Sequence, residues 1–242
     1  MRQLAKNSKK TYDTYANRFI AWLEGRDPTL ELAEAYMDYL AGTGLRQNTI
    51  GVAGRAIRRM FSIKVAVPSI EMLEPHYLTV DQVKKMIDVA PTLLDKTVLI
   101  LTFSTACRIS EILNLTKDDL ELKKGVATVT RKGGQRQRIP LGDQGTAALK
   151  AWLKERHSNT QRVFMDYTYN NIYYRLKLVG KKAGVPDFHP HLLRHSRIRH
   201  LIEAGVAVER VSEVAGHRKL DTTQKIYGSL RAEERARYLV DF

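Results

Sequence analysis

The chain has 242 residues, with 40 Lys and Arg against 26 Asp and Glu and a formal net charge of +14. That length allows one large domain or two small ones, able to bury roughly 70% of the surface the unfolded chain exposes. The charge makes a polyanion the natural partner, whether nucleic acid or an anionic lipid surface, and the single cysteine, Cys107, excludes an internal disulfide and suits a reducing compartment.

Residues 1–10 are polar and lack the apolar segment of a secretory signal. Residues 8–25 read as a helix, because Tyr12, Tyr15, Phe19 and Trp22/Leu23 recur at near-helical spacing, with Ser8 a candidate N-cap. A second helix over 29–41 places Leu32, Tyr36 and Tyr39/Leu40 on one stripe and stops at Gly42 and Gly44. A third, over 48–62, turns Ala53, Ile57, Met60 and Phe61 inward. Arg46, Arg55, Arg58, Arg59 and Lys64 fall in a stretch, 39–70, that contains no acid. A charge run alone is usually a solvated face; this one-sided excess in a basic chain favours contact with a phosphate backbone. Residues 1–66 thus form a helical module, and 67–78, with Pro68 and Pro75 and no clear period, form a linker.

A second domain, 79–242, starts at Thr79-Val80-Asp81-Gln82, which has capping-box spacing and leads into a stripe of Val83, Met86 and Ile87. Residues 93–105 read as a buried helix and Arg108 opens another. The longest apolar run, 98–101, is far short of the ~20 residues of a membrane helix. Strands are expected at 120–122, 126–130 and 137–141, the last two joined by a turn at 132–136. Helices follow at 144–156, 169–183, 190–204, 208–214 and 220–228, punctuated by Gly205 and Gly216. Residues 230–242 suit a short amphipathic helix.

The last quarter carries His191-Leu192-Leu193-Arg194-His195, then Gly216-His217, then Ile226-Tyr227. A lone Tyr is usually a half-buried aromatic and a lone His a satisfied core residue. Two histidines, an arginine and a tyrosine on successive short helices can instead meet one phosphate. Breaking a phosphodiester needs an in-line nucleophile, neutralised non-bridging oxygens and a proton for the leaving oxygen. Tyr227 suits the first role by forming a covalent phosphotyrosine, and Arg108 and Arg194 suit the second because guanidinium is always charged and offers a planar fork of donors. His191 and His217 can donate to phosphoryl oxygens or handle the phenol proton, and their division of labour stays open. Glu111, one helical turn past Arg108, can hold a guanidinium or imidazole in place. Arg197 rotates off the face of His191, Arg194 and His195 and is expected at DNA backbone or solvent. His189, His191 and His195 cluster without the paired carboxylates of a two-metal nuclease, so no metal and no cofactor is expected.

These residues, with Thr105-Ala106-Cys107-Arg108-Ile109-Ser110-Glu111-Ile112-Leu113 and with Arg131-Lys132-Gly133-Gly134 through Arg138-Ile139-Pro140-Leu141, resemble the tyrosine recombinase (phage integrase-like) family over nearly the whole chain. The six positions are Arg108, Lys132, His191, Arg194, His217 and Tyr227. One departure is Ala106, where relatives often have Gly; Arg108 and Glu111 keep their places. The resemblance implies a mainly α fold with a small antiparallel β-sheet (α+β), built as an N-terminal helical core-binding domain and a C-terminal catalytic domain that clamp duplex DNA. It implies that Lys132 protonates the 5′ oxygen, that Arg136 and Arg138 on the hairpin reach DNA, and that four copies act on paired sites, in the manner of Xer proteins. It also favours a tail that packs on a neighbouring copy, with docking on its own domain as the alternative. The expected setting is cytoplasmic, at the nucleoid, with no membrane partner. A type IB topoisomerase-like nicking-closing enzyme and a silent DNA-binding architectural protein are the alternatives. A covalent DNA adduct separates the silent protein from both enzymes.

Overall fold

The computed structural model describes residues 6–68, 76–165 and 167–216, and the chain divides into two compact units, Met1–Pro75 and His76–Phe242. The first is helical: α1 (Lys6–Leu23), α2 (Leu30–Gly42) and α3 (Gln47–Met60) surround a core of Phe19, Tyr36, Ile50, Ile57 and Val65. Aromatic rings knit it together, Phe19 lying 5.1 Å from Tyr36 and 5.4 Å from Phe61 between centroids. Thr29 caps α2 by accepting from the Leu32 N–H. Ser8 is not a cap: α1 already includes Lys6, so Ser8 sits inside its first turns, where a side-chain oxygen has no free end to close.

The second unit is built round α5 (Leu93–Thr105), whose Val98, Leu99 and Leu101 are fully buried. Each such side chain contributes roughly 1.5–3 kcal/mol through area removed from water. A helix apolar on most sides must be covered on most sides, and α4 (Val80–Val89), α7 (Gly142–Glu155), α8 (Tyr169–Lys182) and α9 (Pro190–Glu203) all pack on it. Both halves of the Thr79–Gln82 capping box form at the start of α4. The entry segment is pinned by Ser196, whose hydroxyl accepts from the Leu78 N–H and donates to the Leu192 carbonyl, both at 2.8 Å.

After the short α6 (Ile109–Leu113) come β1 (Leu120–Glu121), β2 (Val126–Thr130) and β3 (Arg136–Pro140), an antiparallel sheet in that order with Thr128 opposite Arg138. The fold is therefore mainly α with a small antiparallel sheet. Pairing begins at Thr130↔Arg136, one residue earlier than expected, because the Arg131 N–H donates to the Gln135 carbonyl and tightens the turn. α10 (Val208–Ala215) follows α9. Two contacts set α8 against its neighbours. Arg175 grips the buried carboxylate of Asp95 at the start of α5, at 2.8 and 2.7 Å. Gly180 lets Phe188 lie so close that a Cβ there would meet its ring carbons at under 3 Å. Phe188 then leads directly into the His189–Pro190 start of α9.

Candidate active site

Arg108, His191 and Arg194 line one cleft of about 140 Å³, together with Cys107, Ser110 and Tyr169. α5 ends at Ala106, which adopts a left-handed conformation, φ 53°, and turns the chain so that Arg108 caps α6. Alanine in that conformation costs about 1–2 kcal/mol, so the surroundings must enforce it. They do: the Arg194 Nη1 donates to the Ala106 carbonyl at 2.6 Å.

Arg194 is 1% exposed, and its Nη2 donates to the Ala215 carbonyl at 2.7 Å. Both acceptors belong to helix C-terminal ends, where the aligned peptide dipoles favour a cation. Burial, then the Arg108 charge, lowers its pKa to about 10, which leaves it protonated at neutral pH. Among the described residues no carboxylate lies within ion-pair distance of it. The cleft thus holds a cation whose contacts are dipoles, a good receptor for an anion.

Arg108 is held by Glu111, whose Oε1 accepts from its Nη1 at 2.7 Å and whose Oε2 accepts from its backbone N–H at 2.9 Å. Glu111 is 4% exposed. Burial alone would raise its pKa, but the Arg108 N–H and the Arg131 and Arg108 cations outweigh that and hold it low, so it stays ionised.

His191 sits at the second position of α9, behind Pro190, in the first turn at the positive end of the helix dipole. Its ring lies edge-on to His195 at 4.6 Å. Loss of hydration, then the charges of His195, Arg194 and Arg108, push its pKa down to about 4. It is therefore neutral at neutral pH, and an anion beside it would oppose the charge part of that shift.

Lys132 does not line the cleft. It stands exposed at the tip of the β2–β3 hairpin, followed by Gly133 and Gly134, both at positive φ. His217 and Tyr227, the expected helix at 220–228 and the tail at 230–242 lie outside the described residues. Arg136 and Arg138 are exposed and paired with Asp119 and Glu121. In the first unit Arg46 and Arg55 are exposed, Arg59 is half-buried, and the Nε of Arg58 donates to the Val65 carbonyl at 2.6 Å. Arg197 corrects an expectation: it is half-buried with its guanidinium 5.7 Å from the Phe103 ring centre, because its helix face packs toward α5. Among the described residues no three potential metal ligands gather, and no helix is long and apolar enough to cross a membrane.

Sequence reasoning passed over two residues here. Tyr169, the first residue of α8, lines the cleft with nothing in its spacing to announce it. Arg131 is 5% exposed and touches Glu111, and it did leave a signal. Ala127, Val129 and Arg131 alternate on the buried face of the hairpin, so a cation there required a buried acid.

The chain as a whole has counterparts among known proteins. The model of the phage integrase family matches residues 76–234. The chain belongs to the phage integrase family. Within it the protein is Xer-like. It is 30% identical to the tyrosine recombinase XerA of Pyrococcus horikoshii, covering 91% of this chain and 82% of that one. It is 28% identical to XerD of Bifidobacterium longum, covering 92% and 87%. Solved structures share the integrase fold. The Tn1549 transposon integrase in complex with transposon right-end DNA superposes with a TM-score of 0.80 at 18% identity, covering 98% of this chain and 93% of that one. The XerH site-specific recombinase bound to its difH substrate gives 0.77 at 18% identity, covering 95% and 78%.

Proposed function

We propose that this phage integrase family member is a site-specific DNA recombinase that cleaves and rejoins duplex DNA through a 3′-phosphotyrosyl intermediate on Tyr227, without metal or ATP. The observation that carries the reading is the buried, dipole-held Arg194 in one cleft with Arg108 and His191. Two fixed guanidiniums offset the negative charge on the non-bridging oxygens in the transition state and need no reorganisation when the phosphate arrives. His191 and His217 then share hydrogen bonding to the phosphoryl group and management of the phenol proton. Lys132, on a glycine-jointed turn, swings in with DNA to protonate the departing 5′ oxygen.

Duplex DNA is the partner. The relatives are named recombinases, and two of the structural neighbours are described in complex with DNA. Exposed Arg46 and Arg55, with Arg58 and Arg59 on the same helical unit, contact the backbone, and Arg136 and Arg138 exchange Asp119 and Glu121 for phosphates. The units 1–66 and 79–242, joined through 67–78, close on the duplex from two sides, and four copies assemble on paired sites. The setting is the cytoplasm, at the nucleoid.

The test is to incubate the full chain with duplex fragments from either side of its own reading frame and digest any adduct that survives denaturation. A peptide containing Tyr227 joined to a 3′ phosphate, absent in Tyr227→Phe, supports the reading. An adduct that persists in Tyr227→Phe overturns the nucleophile, and DNA binding with no adduct under any condition returns the protein to the architectural class.

A further inference from the structure

Arg131 departs from its neighbours in the hairpin turn: Lys132, Gly133, Gly134 and Gln135 are exposed, whereas Arg131 is buried. Its guanidinium reaches three elements at once. Nη1 donates to Glu111 Oε2 at 2.5 Å and lies 3.4 Å from the Cys107 sulfur, Nη2 donates to the Val214 carbonyl at 2.9 Å, and Nε donates to Gln137 Oε1 at 2.8 Å. Gln137 in turn donates to the Glu213 carbonyl at 2.9 Å. The hairpin therefore closes the Val214 carbonyl that the end of α10 would leave open, and adds a second donor to the Glu213 carbonyl, which also accepts from the Gly216 N–H. Arg131 also seats against Gly216, where a Cβ would fall 2.7 Å from its Nε. The residue after Gly216 is His217.

Charge gives this contact a function beyond packing. Glu111 is one carboxylate between two guanidiniums, Arg108 at 2.7 Å and Arg131 at 2.5 Å. While Arg131 shares it, Arg108 is only partly neutralised and keeps net charge for an incoming phosphate. Without Arg131, the carboxylate belongs to Arg108 alone, and the pair facing the cleft becomes close to neutral. We propose that Arg131 is a positioning residue that divides the Glu111 charge, leaving Arg108 cationic toward the scissile phosphate, while it ties the lysine turn and the end of α10 to the same support. It touches no DNA. This inference rests on the phosphate-cleaving reading of the cleft.

The experiment compares single-turnover cleavage at saturating DNA for the full-length wild type, Arg131→Met, Arg131→Lys and Arg131→Met/Glu111→Gln. Removing a buried partner of a reacting group commonly lowers activity on the order of 10- to 100-fold, and Arg131→Met should fall in that range with DNA affinity within about threefold of wild type. Arg131→Lys keeps a cation beside Glu111 and should stay within about tenfold of wild type and faster than Arg131→Met. The decisive variant is the double one. Removing the now unshared carboxylate should restore cleavage several-fold above Arg131→Met, an outcome that a purely structural strut does not produce. A double variant as slow as Arg131→Met or slower, or an Arg131→Lys as slow as Arg131→Met, overturns the proposal. If Arg131→Met does not fold, the Lys variant alone decides, since a rate more than about tenfold below wild type denies the charge-sharing role. Wild-type protein that forms no adduct with any fragment defeats the underlying reading instead, and is distinguished by that control.

Discussion

The two regions rich in arginine use the same side chain in opposite ways. In the helical unit Arg46 and Arg55 are exposed on or beside α3, with their charge in water. In the second unit Arg131 and Arg194 are almost wholly buried, each held by several acceptors, and Arg108 is gripped by Glu111. Surface arginines gain from a polyanion mainly by releasing its counterions, a term that salt weakens and that geometry hardly affects. Buried ones cost the fold desolvation, and that cost is useful only if a fixed charge at a fixed place is the aim. Affinity and chemistry should therefore separate between the two units.

Removing Arg194 should have the largest effect. Arg194→Ala deletes a cleft cation and leaves the Ala106 and Ala215 carbonyls without their donor, so cleavage should fall by on the order of 100- to 1,000-fold or more. Melting temperature measured alongside separates lost chemistry from lost fold. A near-normal single-turnover rate would remove the phosphate clamp from the account.

Lys132 comes next, because it stands between the two classes: exposed like the surface arginines, yet assigned a chemical role. Lys132→Ala should slow cleavage of ordinary DNA by roughly 100-fold, the scale of a lost general acid. It should slow cleavage much less when the 5′ bridging oxygen is sulfur, which leaves without a proton. Equal defects on both substrates would make Lys132 a binding residue.

A smaller effect follows from His191. Its ordinary pKa is 6.5 and in the free fold it is about 4, so between those values the unfolded chain takes up a proton that the folded protein refuses. The group therefore makes the DNA-free protein less stable as pH falls through that window. Phosphate in the cleft raises the pKa again, so binding takes up a proton and affinity should strengthen as pH drops from about 7 toward 5. His191→Gln should flatten that dependence in a binding titration at fixed salt. An unchanged pH profile would place the ring away from the phosphate.

The mildest change is predicted for Arg46→Ala and Arg55→Ala. Each should weaken binding to all duplexes alike and reduce the salt slope by about one, with the cleavage rate at saturating DNA unchanged. Loss of rate at saturation would break the division between the two units.

Much of this was legible in the chain. The stripe Val83, Met86, Ile87 behind a capping box placed α4, and Leu93 and Leu94 with the apolar run 98–101 placed the central helix, although its buried polar residues, Asp95 and Thr97 among them, carry no sign of their burial in the sequence. Residue type and order single out Arg108, His191 and Arg194 as candidates, and the fold brings these three to one cleft. What escaped depends on partners distant in sequence. Arg197 turned toward Phe103, 94 positions away by numbering, and no helical wheel contains that neighbour. Tyr169 reaches the cleft only because Asp95 and Phe188 fix where α8 lies. The departure at Ala106 likewise depends on a distant partner, Arg194, which holds its carbonyl.

The most direct test of the central claim is single-turnover cleavage by Arg108→Ala at saturating DNA in EDTA, beside wild type and Arg55→Ala. Wild type and Arg55→Ala should cleave at the same rate without metal, and Arg108→Ala should be slower by at least about 100-fold while binding DNA nearly as well. Wild-type cleavage that stops in EDTA, or an Arg108→Ala rate close to wild type, would contradict a phosphate site built from fixed guanidinium charge.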